Sequence, residues 1–174
     1  MPSFRMLDSA TATYSVAQAQ ANPNATVTTD FWQLGGANLK TIKPRWISFG
    51  GTAAAARQQP IWIYRRGSAT TGGAPSVLTP NKADSSDGPA SATFTYWPST
   101  PPTTMGAPSI QLDSMSFTLV VAGTLQDRVA FNYENFTNKG NVLNNAGEFL
   151  SLVFVTVTTV STDKFDFSVW WTEQ

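Results

Sequence analysis

The chain has no cysteine and no histidine. Without cysteine, neither disulfides nor thiolate metal sites can hold the fold, and packing must do so alone. Without histidine, Ser-His-Asp and Cys-His nucleophilic catalysis are excluded, together with nearly every zinc or iron site. Charge is scarce as well. Asp, Glu, Lys and Arg make up 13% of the 174 residues, against roughly 25% in an ordinary soluble domain. The 11 basic and 11 acidic residues cancel, so no net field gathers nucleic acid or an anionic membrane surface. The longest basic run is the pair Arg65 and Arg66. No stretch approaches the ~20 apolar residues of a membrane span, and the first residues lack a basic start followed by an apolar run. The expectation is a chain made in a cytoplasm, with neither nucleic acid nor membrane as partner.

What remains is a palette of Ser, Thr, Asn, Gln and aromatics, punctuated by 12 Gly and 11 Pro. It suits strands and turns better than helices, whose exposed faces are rich in Glu and Lys. Phe165, Phe167, Val169 and Trp171 alternate with Asp166, Ser168 and Trp170, the period of two of a strand with one buried face. Residues 148–160 carry apolar side chains on both faces, Leu150, Leu152 and Phe154 against Val153, Val155 and Val157. Such a strand is covered on both sides, by a second sheet or by a neighbouring subunit. The Ser161-Thr162-Asp163 turn after it suggests a hairpin with the last strand. Alternation also marks strands over residues 26–34, 40–49, 59–66, 91–97, 110–121 and 129–133, with Pro44 demanding an edge or a bulge. About eight strands in one domain predict an all-β, jelly-roll-like two-sheet antiparallel sandwich over residues 25–174. Residues 1–24 have no helical stripe and read as an extended N-terminal arm, with Phe4, Met6, Leu7, Tyr14 and Val16 as anchors on a neighbour.

Residues 67–89 and 98–108 are loops by composition, the first long enough to suggest an interface role. The stretch Gly67 to Gly73 imitates the start of a phosphate-binding loop, but Gly73 stands where the lysine is required. Asp84 and Asp87 lack the spacing of a calcium loop and read as a turn. Asp113, Asp127, Glu134 and Glu148 are the carboxylates left for glycosidic chemistry, yet no pairing between them is visible. A protein without catalytic activity, metal or cofactor is therefore expected. Phe94, Phe117, Phe131, Phe154, Phe165 and Phe167 are the expected core. Trp62, Tyr64, Trp97 and Trp170 alternate with or follow core positions, so that some should be half exposed and covered by a subunit or a ligand.

Three stretches, IWIYRRGSATTGG at 61–73, PNKADSSDGPASATFTYW at 80–97 and FDFSVWWTEQ at 165–174, together resemble the capsid decoration or cement proteins of tailed phages. The likeness is an order of elements over about residues 40–174. It implies a jelly roll or related sandwich, commonly a homotrimer, bound through the major capsid protein to the exterior of the virion shell. It carries over no ligand residues. Phe4, Leu7, Tyr14, Trp62, Tyr64, Trp97 and Trp170 are then the expected protein-interface residues. The rival expectation is a carbohydrate-binding sandwich on a phage fibre or adhesion surface, with a glycan as partner.

Overall fold

A computed structural model of the chain describes residues 11–22, 28–121, 128–133, 142–155 and 162–174. The described residues contain eleven strands and no helix: β1 (Ala12–Ala21), β2 (Thr29–Gly35), β3 (Ile42–Ala53), β4 (Arg57–Arg66), β5 (Ser76–Val77), β6 (Asn81–Lys82), β7 (Thr93–Tyr96), β8 (Pro108–Val121), β9 (Arg128–Asn132), β10 (Phe149–Phe154) and β11 (Lys164–Glu173). They join into one curled, mixed sheet. One half runs β6-β1-β11-β3-β9 and the other β5-β7-β2-β10-β4-β8, each antiparallel throughout. A short parallel pairing, Thr52 with Val120 and Ala53 with Val121, links the halves. The antiparallel sandwich of about eight strands is corrected accordingly. The additional strands are β1, read from sequence as arm, and the two-residue strands β5 and β6 inside a segment that composition marks as loop.

The long strands nest in antiparallel pairs: β1 with β11, β2 with β10, β3 with β9 and β4 with β8. Curling brings the two halves face to face in a sandwich-like arrangement, and aromatic rings fill the space between. Phe31 of β2 contacts Phe49, Phe165 and Phe167 of the opposite half at centroid distances of 5.5–5.9 Å. Phe154 of β10 meets Phe165 of β11 at 4.7 Å. All six expected core phenylalanines are buried, each contributing ~1.5–3 kcal/mol by transfer from water. The Phe154–Phe165 contact also corrects the hairpin expectation. β10 and β11 lie in opposite halves and pack through side chains across the core instead of sharing a ladder.

The expected arm is corrected over its described part. β1 pairs with β11 from Ala12 to Ala21 and with β6 at Tyr14 and Ser15, and it buries Tyr14 and Val16. Backbone hydrogen bonds to the chain's own sheet supply what the small side chains of this segment lack. The anchors Phe4, Met6 and Leu7 lie outside the described residues. Segment 67–107, between β4 and β8, supplies β5 and β7 to one edge and β6 to the other. A long connection thereby covers strand edges that would otherwise be open for pairing. No helix among the described residues is long and apolar enough to cross a membrane.

Candidate functional site

Two of the expected interface aromatics are core. Tyr14 is 3% and Trp97 1% exposed. The Tyr14 hydroxyl donates to the Gly88 carbonyl at 3.0 Å, and Trp97 Nε1 donates to the Gly72 carbonyl at 2.8 Å. Both polar ends find partners in segment 67–107, which is why residues with amphipathic rings can sit inside. Trp62 and Tyr64 are half-buried, and their rings lie 5.8 Å apart. Trp170 is 42% exposed. Phe4 and Leu7 lie outside the described residues.

Trp170 stands directly opposite Trp46 of β3, which is 37% exposed. The two indoles, with Thr13, Arg45 and Thr172, line an open cleft of about 420 Å³ on the outward surface of β1, β11 and β3. A bulge builds this cleft. Trp46 pairs with Trp170 and Pro44 with Trp171, so Arg45 between them has no opposite residue in β11. Pro44 cannot donate to a ladder, and the bulge accommodates it, as the sequence expectation required. In regular register Arg45 would oppose the fully buried Trp171; the extra residue turns its side chain to the cleft instead. Arg45 Nε donates to Thr172 Oγ1 at 3.2 Å, while Trp170 Nε1 donates to Ser168 Oγ at 3.1 Å. Sequence reasoning found Trp170 and missed Trp46, Arg45, Thr13 and Thr172. Trp46 was legible, since it and Ser48 alternate with Ile47 and Phe49, but the bulge that aims Arg45 was not.

A second outward surface lies on β4 and β8. Gln58, Pro60, Trp62 and Tyr64 face Thr118, Ser116, Ser114 and Gln111 respectively, all neutral. The polar members bond to one another: Gln58 Nε2 donates to Thr118 Oγ1 at 2.9 Å, Ser116 Oγ to Gln58 Oε1 at 3.4 Å, and the Tyr64 hydroxyl to Gln111 Oε1 at 3.2 Å.

The outward face of β2 and β10 is closed by the chain itself. Arg66 bonds Asp30 through Nη2 and donates through Nη1 to the Gly106 carbonyl at 2.6 Å. The Thr70 hydroxyl donates to Asp30, Thr70 N donates to Gln33 Oε1 at 3.2 Å, and Gln33 Nε2 donates to Ser151 Oγ at 3.3 Å. Burial pushes the Asp30 carboxyl above its ordinary value, and the hydrogen bond and charge of Arg66, then Thr70 and Ser151, offset part of that rise. Gly72 and Gly73 take positive φ in the same segment, and a Cβ on Gly73 would lie 2.2 Å from the Pro101 carbonyl oxygen. Close packing thus explains the glycines that imitate a phosphate loop. The two-sided apolar pattern is met within the chain over its described part, where Ser151, Val153 and Val155 are buried and Thr70 of segment 67–107 lies over Gln33 and Ser151; Val157 lies outside the described residues.

Among the carboxylates, Glu148 pairs with Arg65 and accepts from Asn144 N at 2.7 Å, and Asp113 accepts from Ser114 N at 2.8 Å. Asp127 and Glu134 lie outside the described residues. Asp84 accepts from both Ser86 N and Ser86 Oγ at 2.8 Å, and these bonds hold its carboxyl below the ordinary value, as befits the expected turn. No family of known proteins, no curated protein and no solved structure matches the chain.

Proposed function

We propose that the eight long strands form a jelly roll, and that the chain is a non-catalytic structural protein of a phage virion, docked on the exterior of the capsid through the major capsid protein. Support for the wiring comes from the nested pairs. Counting the long strands β1, β2, β3, β4, β8, β9, β10 and β11 in chain order, the first pairs with the last, the second with the seventh, the third with the sixth and the fourth with the fifth. A four-pair ribbon of this kind, wrapped around one core, is the jelly-roll plan of many capsid and lectin domains.

Fold alone does not carry function. The observation that carries the docking is the neutral β4–β8 surface, on which Trp62 and Tyr64 stand among polar groups already bonded to each other. Covering such a face costs little, because few of its hydrogen bonds to water need replacing, and its two aromatics are of the type enriched at interface centres. Self-association into a trimer belongs to this reading and rests on the zero net charge, since the second face of β10 is covered internally. The test is co-sedimentation of the purified chain with shells assembled from the major capsid protein of the same genome, with light scattering of the free chain. Saturable binding that falls about tenfold or more in Trp62→Glu is expected. A chain that stays in the supernatant at micromolar concentration, or binding indifferent to Trp62→Glu, would overturn the docking.

A further inference from the structure

We propose that the Trp46–Trp170 cleft is a saccharide-binding site, and that its ligand carries a carboxylate. The inference stands apart from capsid docking, which uses a different surface. Two indoles project from directly opposed positions of β3 and β11, where cross-strand neighbours are ~5 Å apart at the backbone. Together they present an apolar platform on the scale of a pyranose ring. The rim is polar. Thr13 and Thr172 supply hydroxyls, and the indole N–H of Trp46 has no hydrogen-bond partner among the described residues. A sugar needs this combination of an apolar floor for its C–H face and donors and acceptors at the margin for its hydroxyls.

Charge decides the subclass. Among the described residues, Arg45 is the one charged residue lining the cleft. Its Nε is held by Thr172 Oγ1, which fixes the guanidinium plane, and its two Nη groups have no partner among the described residues. A guanidinium held by one edge with two donors free is a ready fork for a carboxylate. Glu173, which follows the lining residue Thr172, points away: it is 2% exposed and accepts hydrogen bonds from Ser91 N, Ala92 N and Trp171 Nε1. Among the described residues, no acidic side chain lines the cleft to compete for Arg45. The bulge that accommodates Pro44 also re-aims Arg45, as bulges beside binding sites do. Here it brings an arginine onto the same surface as the tryptophan that follows it.

The experiment is a glycan array with the full chain, followed by calorimetric titration of the best carboxylated oligosaccharide and its neutral counterpart of the same linkage. Sialylated and uronic-acid sugars form separate arms and distinguish the two sources of carboxylate. Expected is binding of at least one carboxylated arm, weaker by about ten- to a hundredfold for the neutral counterpart. Arg45→Gln should remove that preference, so that the carboxylated sugar and its neutral counterpart bind this variant equally. Trp46→Ala and Trp170→Ala should each weaken both ligands about tenfold, with unchanged circular dichroism as the control for folding. Equal affinity for carboxylated and neutral sugars would overturn the charge assignment. Absence of any saccharide binding at millimolar ligand, or binding unaltered in the Trp46→Ala, Trp170→Ala double variant, would overturn the site. So would wild-type dimers that this double variant converts to monomers, which would make the cleft a contact between copies of the chain.

Discussion

The outward faces of the sandwich-like fold meet opposite fates. Over β2 and β10, segment 67–107 lies on the sheet and buries Asp30, Gln33, Ser151 and Arg66 in a bonded polar layer. Over β1, β11 and β3, nothing among the described residues covers Trp46 and Trp170. The covered face looks like an interface in sequence, because β10 is apolar in both registers. The uncovered face shows in sequence only as Trp170, after Asp166 and Ser168 at the outward positions of one strand. The difference teaches that two-sided apolarity reports coverage without saying by what, and that an intrachain loop satisfies it as well as a subunit does. A large aromatic at an outward register position with small polar neighbours is the better mark of an unpartnered surface.

The contrast is sharpest in stability. Arg66→Ala should lower unfolding stability by ~3–5 kcal/mol at neutral pH, because it leaves the Asp30 carboxylate buried without its countercharge. Trp46→Ala and Trp170→Ala should each cost under ~1 kcal/mol. Urea midpoints of the three variants decide the matter, and comparable losses in all three would break the distinction between the faces. A smaller effect is expected from Gly73→Ala, which forces a side chain into the left-handed region and against Pro101. A loss of ~2 kcal/mol, with segment 67–107 becoming the first site of protease cleavage, would show that this segment is the cover.

A pH series refines the covered side further. Because the folded-state value of Asp30 lies above 3.8, the stability tied to this group is fully present below 3.8 and is lost as pH rises through the folded value. Asp30→Asn, which cannot ionise, should remove that loss and leave a flatter stability profile across this window. Parallel profiles for the two proteins would place the pH dependence elsewhere. The smallest effect belongs to the β2–β3 turn, where Leu39 holds φ 59° and is 99% exposed. Leu39→Asn should raise stability by up to ~1 kcal/mol by relieving left-handed strain on a residue that packs against nothing.

The sequence by itself determined the class of the fold and most of its core. Alternation with period two depends only on which way successive side chains point, so the strands around Phe94, Phe117, Phe131, Phe154, Phe165 and Phe167 were legible one at a time. The absence of cysteine and histidine bounded the chemistry in the same local way. Tertiary structure alone decided which strands are neighbours. The pairing of β1 with β11 closes a loop of about 150 residues, and β10 and β11 face each other across the core although they are consecutive strands in the chain. Local pattern says that a face is buried and is silent about the partner, since burial is non-directional while ladder hydrogen bonds require a specific register. The same limit applied to the site. Trp170 was visible as an outward aromatic, whereas its meeting with Trp46 and Arg45 depended on the β3–β11 register and on one extra residue at a bulge, which exist only once the two strands are paired.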